Sequence, residues 1–217
     1  MKKIIWSLAI ILSTLICSSS YAVTSSDAFN WALDVGIITS YKTEYLKDYY
    51  LTREMVAPIL VNFINNVARK GFSWNLCKAN DIGLAEEIYR DDLRTLCNFW
   101  ILRWSNGRIN PKRTLNRQEA VAMVMRIIDG YQQEKTQWHR AYNYYERART
   151  LGYYGVPNIL DDTKSMITIE DFISFLYSTQ YPWETITKSK TVVNYTTWGA
   201  FKSSDDALLK LLDIFKN

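Results

Sequence analysis

Three segments of this chain repeat one spacing. Gly36 is followed sixteen residues later by Thr52, Trp100 by Asn116, and Gly152 by Thr168, and each later residue opens an apolar helical pattern. The junctions read Leu51-Thr52-Arg53-Glu54, Leu115-Asn116-Arg117-Gln118-Glu119 and Ile167-Thr168-Ile169-Glu170-Asp171. An equal distance between one helix end and the next helix start, found three times, predicts three copies of one small unit. A single helical pair cannot hide its apolar face, so the units are expected to pack together around a shared core.

Each unit reads as helix, sixteen-residue bridge, helix. In the first, Asp27 or Ser26 is placed to cap a helix that carries Ala28, Trp31, Ala32 and Val35 inward and stops at Gly36. Thr52 then caps a helix whose apolar positions Val56, Ile59, Leu60, Phe63 and Val67 follow the helical period. Pro58 is expected to kink that helix or delay its regular start. The second unit runs from Asn80-Asp81 through a helix from Leu84 to about Phe99 and a polar loop Trp104–Lys112. Asn116 then caps a helix with Val121, Val124, Met125 and Ile128 on one face. In the third, a helix from about Arg140 ends at Gly152, and Thr168 caps a helix carrying Phe172, Phe175 and Leu176. Asn116 with Glu119 forms a capping box, and Thr168 with Asp171 approximates one. The units span about residues 26–70, 77–133 and 136–180, within a domain over 23–180. Residues 181–217 form an extension with a last amphipathic helix from near Ser204, carrying Leu208, Leu211, Leu212 and Phe215 on one face. The expected fold class is all-α.

Residues 1–22 read as a secretory signal peptide. Lys2 and Lys3 form its basic start, Ile4 to Ile16 its apolar stretch, and Ser20-Tyr21-Ala22 a small-residue cleavage site. That thirteen-residue stretch falls short of the roughly 20 needed to span a bilayer. Cys17 raises the alternative of lipid attachment, but bulky Ile16 precedes it, which favours cleavage after Ala22. The expected product is exported to the cell wall or cell surface and is not an integral membrane protein. Cleavage removes Lys2 and Lys3 and no acid, leaving 195 residues with 24 basic and 22 acidic side chains. That near balance, without a basic block, carries no nucleic-acid footprint. The two remaining cysteines, Cys77 and Cys97, read as one disulfide in an oxidising compartment. Two thiols and the single His139 are too few for a structural zinc site.

These residues resemble the S-layer homology family. Its repeat runs from an acidic opening through a helix with Trp-Ala, a glycine and an apolar pair, across a variable loop, to a Thr-Arg-Ala-Glu helix start. Here the first copy shows Trp31-Ala32, Gly36-Ile37-Ile38 and Thr52-Arg53-Glu54; the second shows Asn80-Asp81-Ile82 and Asn116-Arg117-Gln118-Glu119; the third keeps Ala148, Gly152 and Thr168. The resemblance covers roughly residues 26 to 180. It implies a pseudo-three-fold helical prism that acts as a non-catalytic, cofactor-free anchor. Its inter-repeat grooves would bind an acidic cell-wall polysaccharide or peptidoglycan-linked polymer. Carried over by position, the ligand-binding residues are Arg53 and Arg117, with Trp31 at the Trp-Ala position and Gly36 and Gly152 where backbone approaches the sugar. An arginine fork suits a carboxylate or phosphate, and a helix N-terminus beside it favours an anion. Three positions depart from the pattern: Met55 stands where the motif acid is expected, Trp100 where the glycine is, and Ile169 where the third arginine is. The three grooves are therefore not expected to be equivalent.

Other readings stand beside this one. Thr52, Asn116, Glu119, Thr168 and Asp171 are helix-capping residues whatever else they do. Trp31 on its apolar face suits core packing better than sugar stacking. The paired acids Glu86-Glu87, Asp91-Asp92, Asp161-Asp162 and Asp205-Asp206 offer carboxylates for a wall glycan or peptidoglycan hydrolase, but adjacent helical residues do not face one another. Asp161-Asp162 without further spaced oxygen ligands is a weak calcium signal, and no metal is expected. A third reading is an exported interaction scaffold whose last helix recruits other envelope proteins.

The cysteine pairing is directly testable. In the unreduced exported protein neither Cys77 nor Cys97 is expected to react with an alkylating agent, and both are after reduction, as read by intact mass. The bridge closes a loop of about 20 residues, so its reduction is expected to lower stability by roughly 3 kcal/mol in the chain-entropy picture.

Overall fold

The computed structural model describes residues 23–39, 48–130, 141–155, 160–182 and 186–187. The predicted signal segment, His139, the loop residues 156–159 and the predicted helix from Ser204 lie outside the described residues. The six α-helices among them are α1 Ser25–Asp34, α2 Val56–Phe63, α3 Glu87–Asn98, α4 Arg117–Ile128, α5 Tyr142–Thr150 and α6 Ile169–Ser178. α2 continues into a π-helical turn, Ile64–Ala68, and a 3-10 turn, Ile82–Leu84, leads into α3. Two-residue strands β1 (Val23–Thr24) and β2 (Ile186–Thr187) pair in parallel, in the register Val23 to Ile186 and Thr24 to Thr187. Apart from that small pair the architecture is all-α, as the helical periodicity predicts. Among the described residues no helix is long and apolar enough to cross a membrane.

The principal helix contacts fall between the predicted units. α1 packs on α6, α2 on α3, and α4 on α5, so each second helix meets the first helix of the next unit in a closed cycle. The long bridges make this possible, because they carry the chain away from one helix before the next begins. All six helices feed one apolar core, with Tyr89, Tyr144, Phe29, Phe63, Phe172 and Phe175 among its largest fully buried side chains.

At the centre the three junctions bond to one another. Leu51 N–H donates to the Ile167 carbonyl at 3.0 Å, Ile167 N–H to the Leu115 carbonyl at 3.0 Å, and Leu115 N–H to the Leu51 carbonyl at 2.7 Å. Two residues further along, the backbone repeats the rule: Arg53 N–H reaches the Arg113 carbonyl, Arg117 N–H the Ser165 carbonyl and Ile169 N–H the Tyr49 carbonyl, each at 3.0 Å. Leu51, Leu115 and Ile167 are buried, where an unpaired peptide group is costly, so this ring satisfies groups that water cannot reach. Thr52, Asn116 and Thr168 follow directly and cap their helices. Their side-chain oxygens accept from the N–H groups of Met55 (3.3 Å), Glu119 (2.8 Å) and Asp171 (3.2 Å).

One local expectation is corrected, and one is met. The first helix is capped by Thr24, in a capping box with Asp27, rather than by Ser26 or Asp27. The helix thus starts two or three residues earlier than expected; it buries Ser25, Ala28, Phe29 and Ala32, and Trp31 and Val35 are only half-buried. After Thr52 the regular helix waits until Val56, the turn between being tighter, with Ala57 N–H on the Glu54 carbonyl. Pro58 lacks the N–H that would close the first α-helical bond there, which accounts for the delay.

The first helix of each unit ends alike. Gly36, Trp100 and Gly152 take φ of +72°, +60° and +75°. Their N–H groups bond three residues back, and those of Ile37, Ile101 and Tyr153 bond five residues back, to Ala32, Leu96 and Ala148. This is the Schellman ending, which favours glycine at its left-handed position. Trp100 occupies that position with a bulky side chain, 37 % exposed. Cys77 and Cys97 are bridged, with Cα atoms 5.3 Å apart, as their even count predicts.

A bulky residue at a left-handed φ costs roughly 1 kcal/mol or more. Trp100→Gly is therefore expected to raise the unfolding free energy by about 1 kcal/mol in urea denaturation. A fall instead would mean that the Trp100 ring contact with Trp104, at 5.5 Å, outweighs the backbone strain.

Candidate functional site

The motif side chains beyond each cap reach across to the neighbouring unit. Arg53, 8 % exposed, places Nη1 3.3 Å from Glu119 Oε1 and donates from Nη2 to the Arg103 carbonyl at 2.9 Å. Arg117 donates from Nη2 to Asp171 Oδ2 at 2.6 Å, and Asp171 is 1 % exposed. The motif arginine of one unit thus pairs with the motif acid of the next. The third pairing would join position 169 to position 55, and both are apolar there: Ile169 and Met55 are buried. The two departures noted in the sequence are complementary, since losing an arginine beside a retained buried acid would strand a charge.

Arg53 opens onto a groove of about 560 Å³. Four further arginines line it (Arg103, Arg108, Arg113 and Arg126) together with Trp104 and a single carboxylate, Glu119. Glu119 already serves Arg53, Arg113 and the backbone N–H of Asn116. Arg126 bonds the Ile101 carbonyl and the Tyr144 hydroxyl. Arg108 is exposed, and no ion pair ties its guanidinium among the described residues. Arg53 Nε is buried with no hydrogen-bond partner. Burial depresses the Arg53 guanidinium below its ordinary value; Glu119 opposes this, and Arg113 and Arg126 add to it. It stays protonated at neutral pH, as arginine does. Five guanidinium groups around one engaged carboxylate give the groove an excess of positive charge, an arrangement chemically suited to an anion.

Asp81, the acidic opening of the second copy, builds the groove wall. Its two carboxylate oxygens accept from Ile109 N–H at 2.8 Å and Asn110 N–H at 2.7 Å. Between them and Arg103, Ser105 and Arg108 close a tight turn with Asn106 and Gly107 at φ +53° and +73°. Asn-Gly is the pair that such a turn favours, and it holds Arg108 outward on the rim.

The other predicted ligand residues lie elsewhere. Arg117 does not line this groove and is tied to Asp171. Trp31 packs edge-on against Tyr177, centroids 5.5 Å apart, where α1 meets α6. Gly36 accepts the Asn66 amide on its carbonyl at 3.0 Å, and a Cβ there would meet that same amide at 3.1 Å. Gly152 is buried at its helix end. The structure thus brings Arg53 into the groove and leaves Arg117, Trp31, Gly36 and Gly152 outside its lining. Arg103, Arg108, Arg113, Arg126 and Trp104 were not read from the sequence. Their signal lies in comparing the copies at equal offsets: Arg103 answers to Thr39 and Gly155, Arg113 to Tyr49 and Ser165, Arg126 to Asn62 and Ser178. Only the second copy is cationic at all three.

Arg117→Ile is expected to cost about 3–5 kcal/mol, because it removes the guanidinium from a buried carboxylate. The double variant Arg117→Ile with Asp171→Met copies the apolar third pairing and is expected to recover most of that loss in urea denaturation. A double variant no more stable than the single one would refute the complementarity of the two departures.

No known protein-family model matches the chain, and no curated protein matches it either, so a functional reading rests on the sequence pattern and this geometry.

Proposed function

We propose that the protein is an exported, S-layer-homology-like module, a pseudo-three-fold prism of three helical units, that holds to the cell envelope by binding an acidic wall polysaccharide. The observation that carries the reading is the arginine groove: five guanidiniums around about 560 Å³, one carboxylate already engaged, and a buried Arg53 Nε without a partner. A carboxylate or phosphate on a sugar chain would accept from the exposed Arg108 and Arg113, and Trp104 on the same wall offers a flat apolar face to a ring. The cyclic junction bonds and the unit-to-unit helix packing support the prism. The same groove favours binding over hydrolysis, because most glycoside hydrolases use two carboxylates and Glu119 is held by two arginines. The scaffold reading through the last helix falls on residues outside those described.

Purified protein is expected to sediment with wall sacculi that keep their acidic polymer and to stay in solution with sacculi chemically stripped of it. Arg108→Ala with Arg113→Ala, both exposed positions, is expected to weaken that binding about tenfold or more and to flatten its dependence on salt. Equal sedimentation with stripped walls, or full binding by the folded double variant, would remove the anchor reading.

A further inference from the structure

A second cleft lies next to the arginine groove. The chain leaves the π turn at Arg69, φ +48°, and runs without regular structure to Asn80 as a strap across the end of α3. Three ties hold it there: the Cys77–Cys97 bridge, Asn75 N–H on the Asn98 carbonyl at 3.0 Å, and Cys77 N–H on Asn98 Oδ1 at 2.8 Å. The strap lays Phe72 nearly flat on Phe99, centroids 5.0 Å apart and planes at 20°, with Trp74 edge-on to Phe99 at 5.9 Å. Between strap and helix ends opens a cleft of about 640 Å³, with Phe72, Phe99 and Trp100 as its aromatic wall and Ser73 and Asn75 as polar groups beside it.

We propose that this cleft is a neutral-sugar subsite, and that one glycan chain runs from it over the Trp100–Trp104 ridge into the arginine groove. The proposal rests on the polysaccharide reading and specifies its ligand: a neutral residue followed by an acidic one. Three observations carry it. The wall is aromatic with hydroxyl and amide groups at the edge; Phe72 and Phe99 stack on each other, and the exposed Trp100 ring beside them is the flat face offered to the apolar C–H side of a sugar ring. The lining of the cleft carries two cations, Lys70 and Arg126, and one acid, Asp129, a net charge of +1 against +4 for the five arginines and Glu119 of the groove, so the cleft suits an uncharged occupant better than the groove does. The two sites are contiguous: Arg126 lines both, and Trp100 of the cleft lies 5.5 Å from Trp104 of the groove. Trp100 also sits in a left-handed conformation where both sister units carry glycine, and strain of that kind collects at binding sites.

The test is calorimetric titration of the full chain with neutral tetrasaccharides, chitotetraose and cellotetraose, at low and high salt. The wild type is expected to bind at least one of them with a dissociation constant in the millimolar range or below, insensitive to salt. Trp100→Gly, which installs the residue of the sister units and keeps the fold, is expected to lose about tenfold or more, as is Phe72→Ala. Arg108→Ala with Arg113→Ala is expected to leave neutral-sugar binding unchanged. No heat with either sugar up to about 10 mM, or wild-type affinity in folded Trp100→Gly, overturns the subsite. The two readings fail separately. Loss of neutral-sugar binding in Trp100→Gly, with acidic-polymer binding indifferent to Arg108 and Arg113, would keep the cleft and remove the groove.

Discussion

The ring of backbone hydrogen bonds among Leu51, Leu115 and Ile167 is the constraint on which the other features depend. Each residue gives its N–H to one junction and its carbonyl to the other, so no junction can be placed until the other two are. The next two residues of each junction inherit that placement. The capping side chain of Asn116 or Thr168 sets where its helix starts, Thr52 caps the tight turn that leads into α2, and the residue after each projects toward the neighbouring unit. A short polar motif therefore acts at two ranges, specifying a helix start locally and an inter-unit contact across the core. Local capping alone would tolerate any side chain after the cap; the ring makes that position an interface position.

The interface chemistry then divides the molecule. Two of the three equivalent position pairs are ion pairs, Arg53–Glu119 and Arg117–Asp171, and at the third both positions, Ile169 and Met55, are apolar and buried. Replacing a buried ion pair by apolar groups of similar size is often neutral or favourable, whereas removing one partner strands a charge. A unit can lose its arginine only together with its neighbour's acid, and this chain shows both absences. The pair at Arg53 differs again, because Arg103, Arg113 and Arg126 surround it. The corresponding positions in the other units are uncharged. Charge excess therefore accumulates at one interface out of three, although the backbone plan repeats.

Much of the fold is legible in the sequence for physical reasons that operate over a few residues. The Asn116–Glu119 box, the caps at Thr52 and Thr168, the delayed start before Pro58 and the disulfide follow from local geometry or from cysteine count. The Thr24 cap carries the same Thr-x-x-Asp spacing as Thr168 with Asp171, but Ser26 and Asp27 compete with it as caps in the sequence, and pairing of β1 with β2, about 160 residues apart, adds a constraint that no local pattern reports. The site was only partly legible for a similar reason. Arg53 carried a recognisable motif, but a motif arginine with a buried, nearby acid is a structural group first. Arg108 and Arg113 carried no motif, and they become conspicuous only when the three copies are compared offset by offset.

Trp100 shows how a departure from a repeat can be read. In a repeated unit, most differences between copies are tolerated drift at exposed positions. A tryptophan at a left-handed helix ending is not of that kind, because glycine is the favoured solution there and the sister units use it. A bulky side chain at this φ opposes stability, and contacts of its ring can offset that cost. The structure offers two: the Trp104 ring on one side and the aromatic cleft held by the disulfide strap on the other. Both the strap and the arginine-bearing turn flank α3 of the second unit, so the unit that departs most from the shared pattern is the one that carries both clefts. The shared junction pattern supplies the frame, and both clefts lie where one copy departs from it.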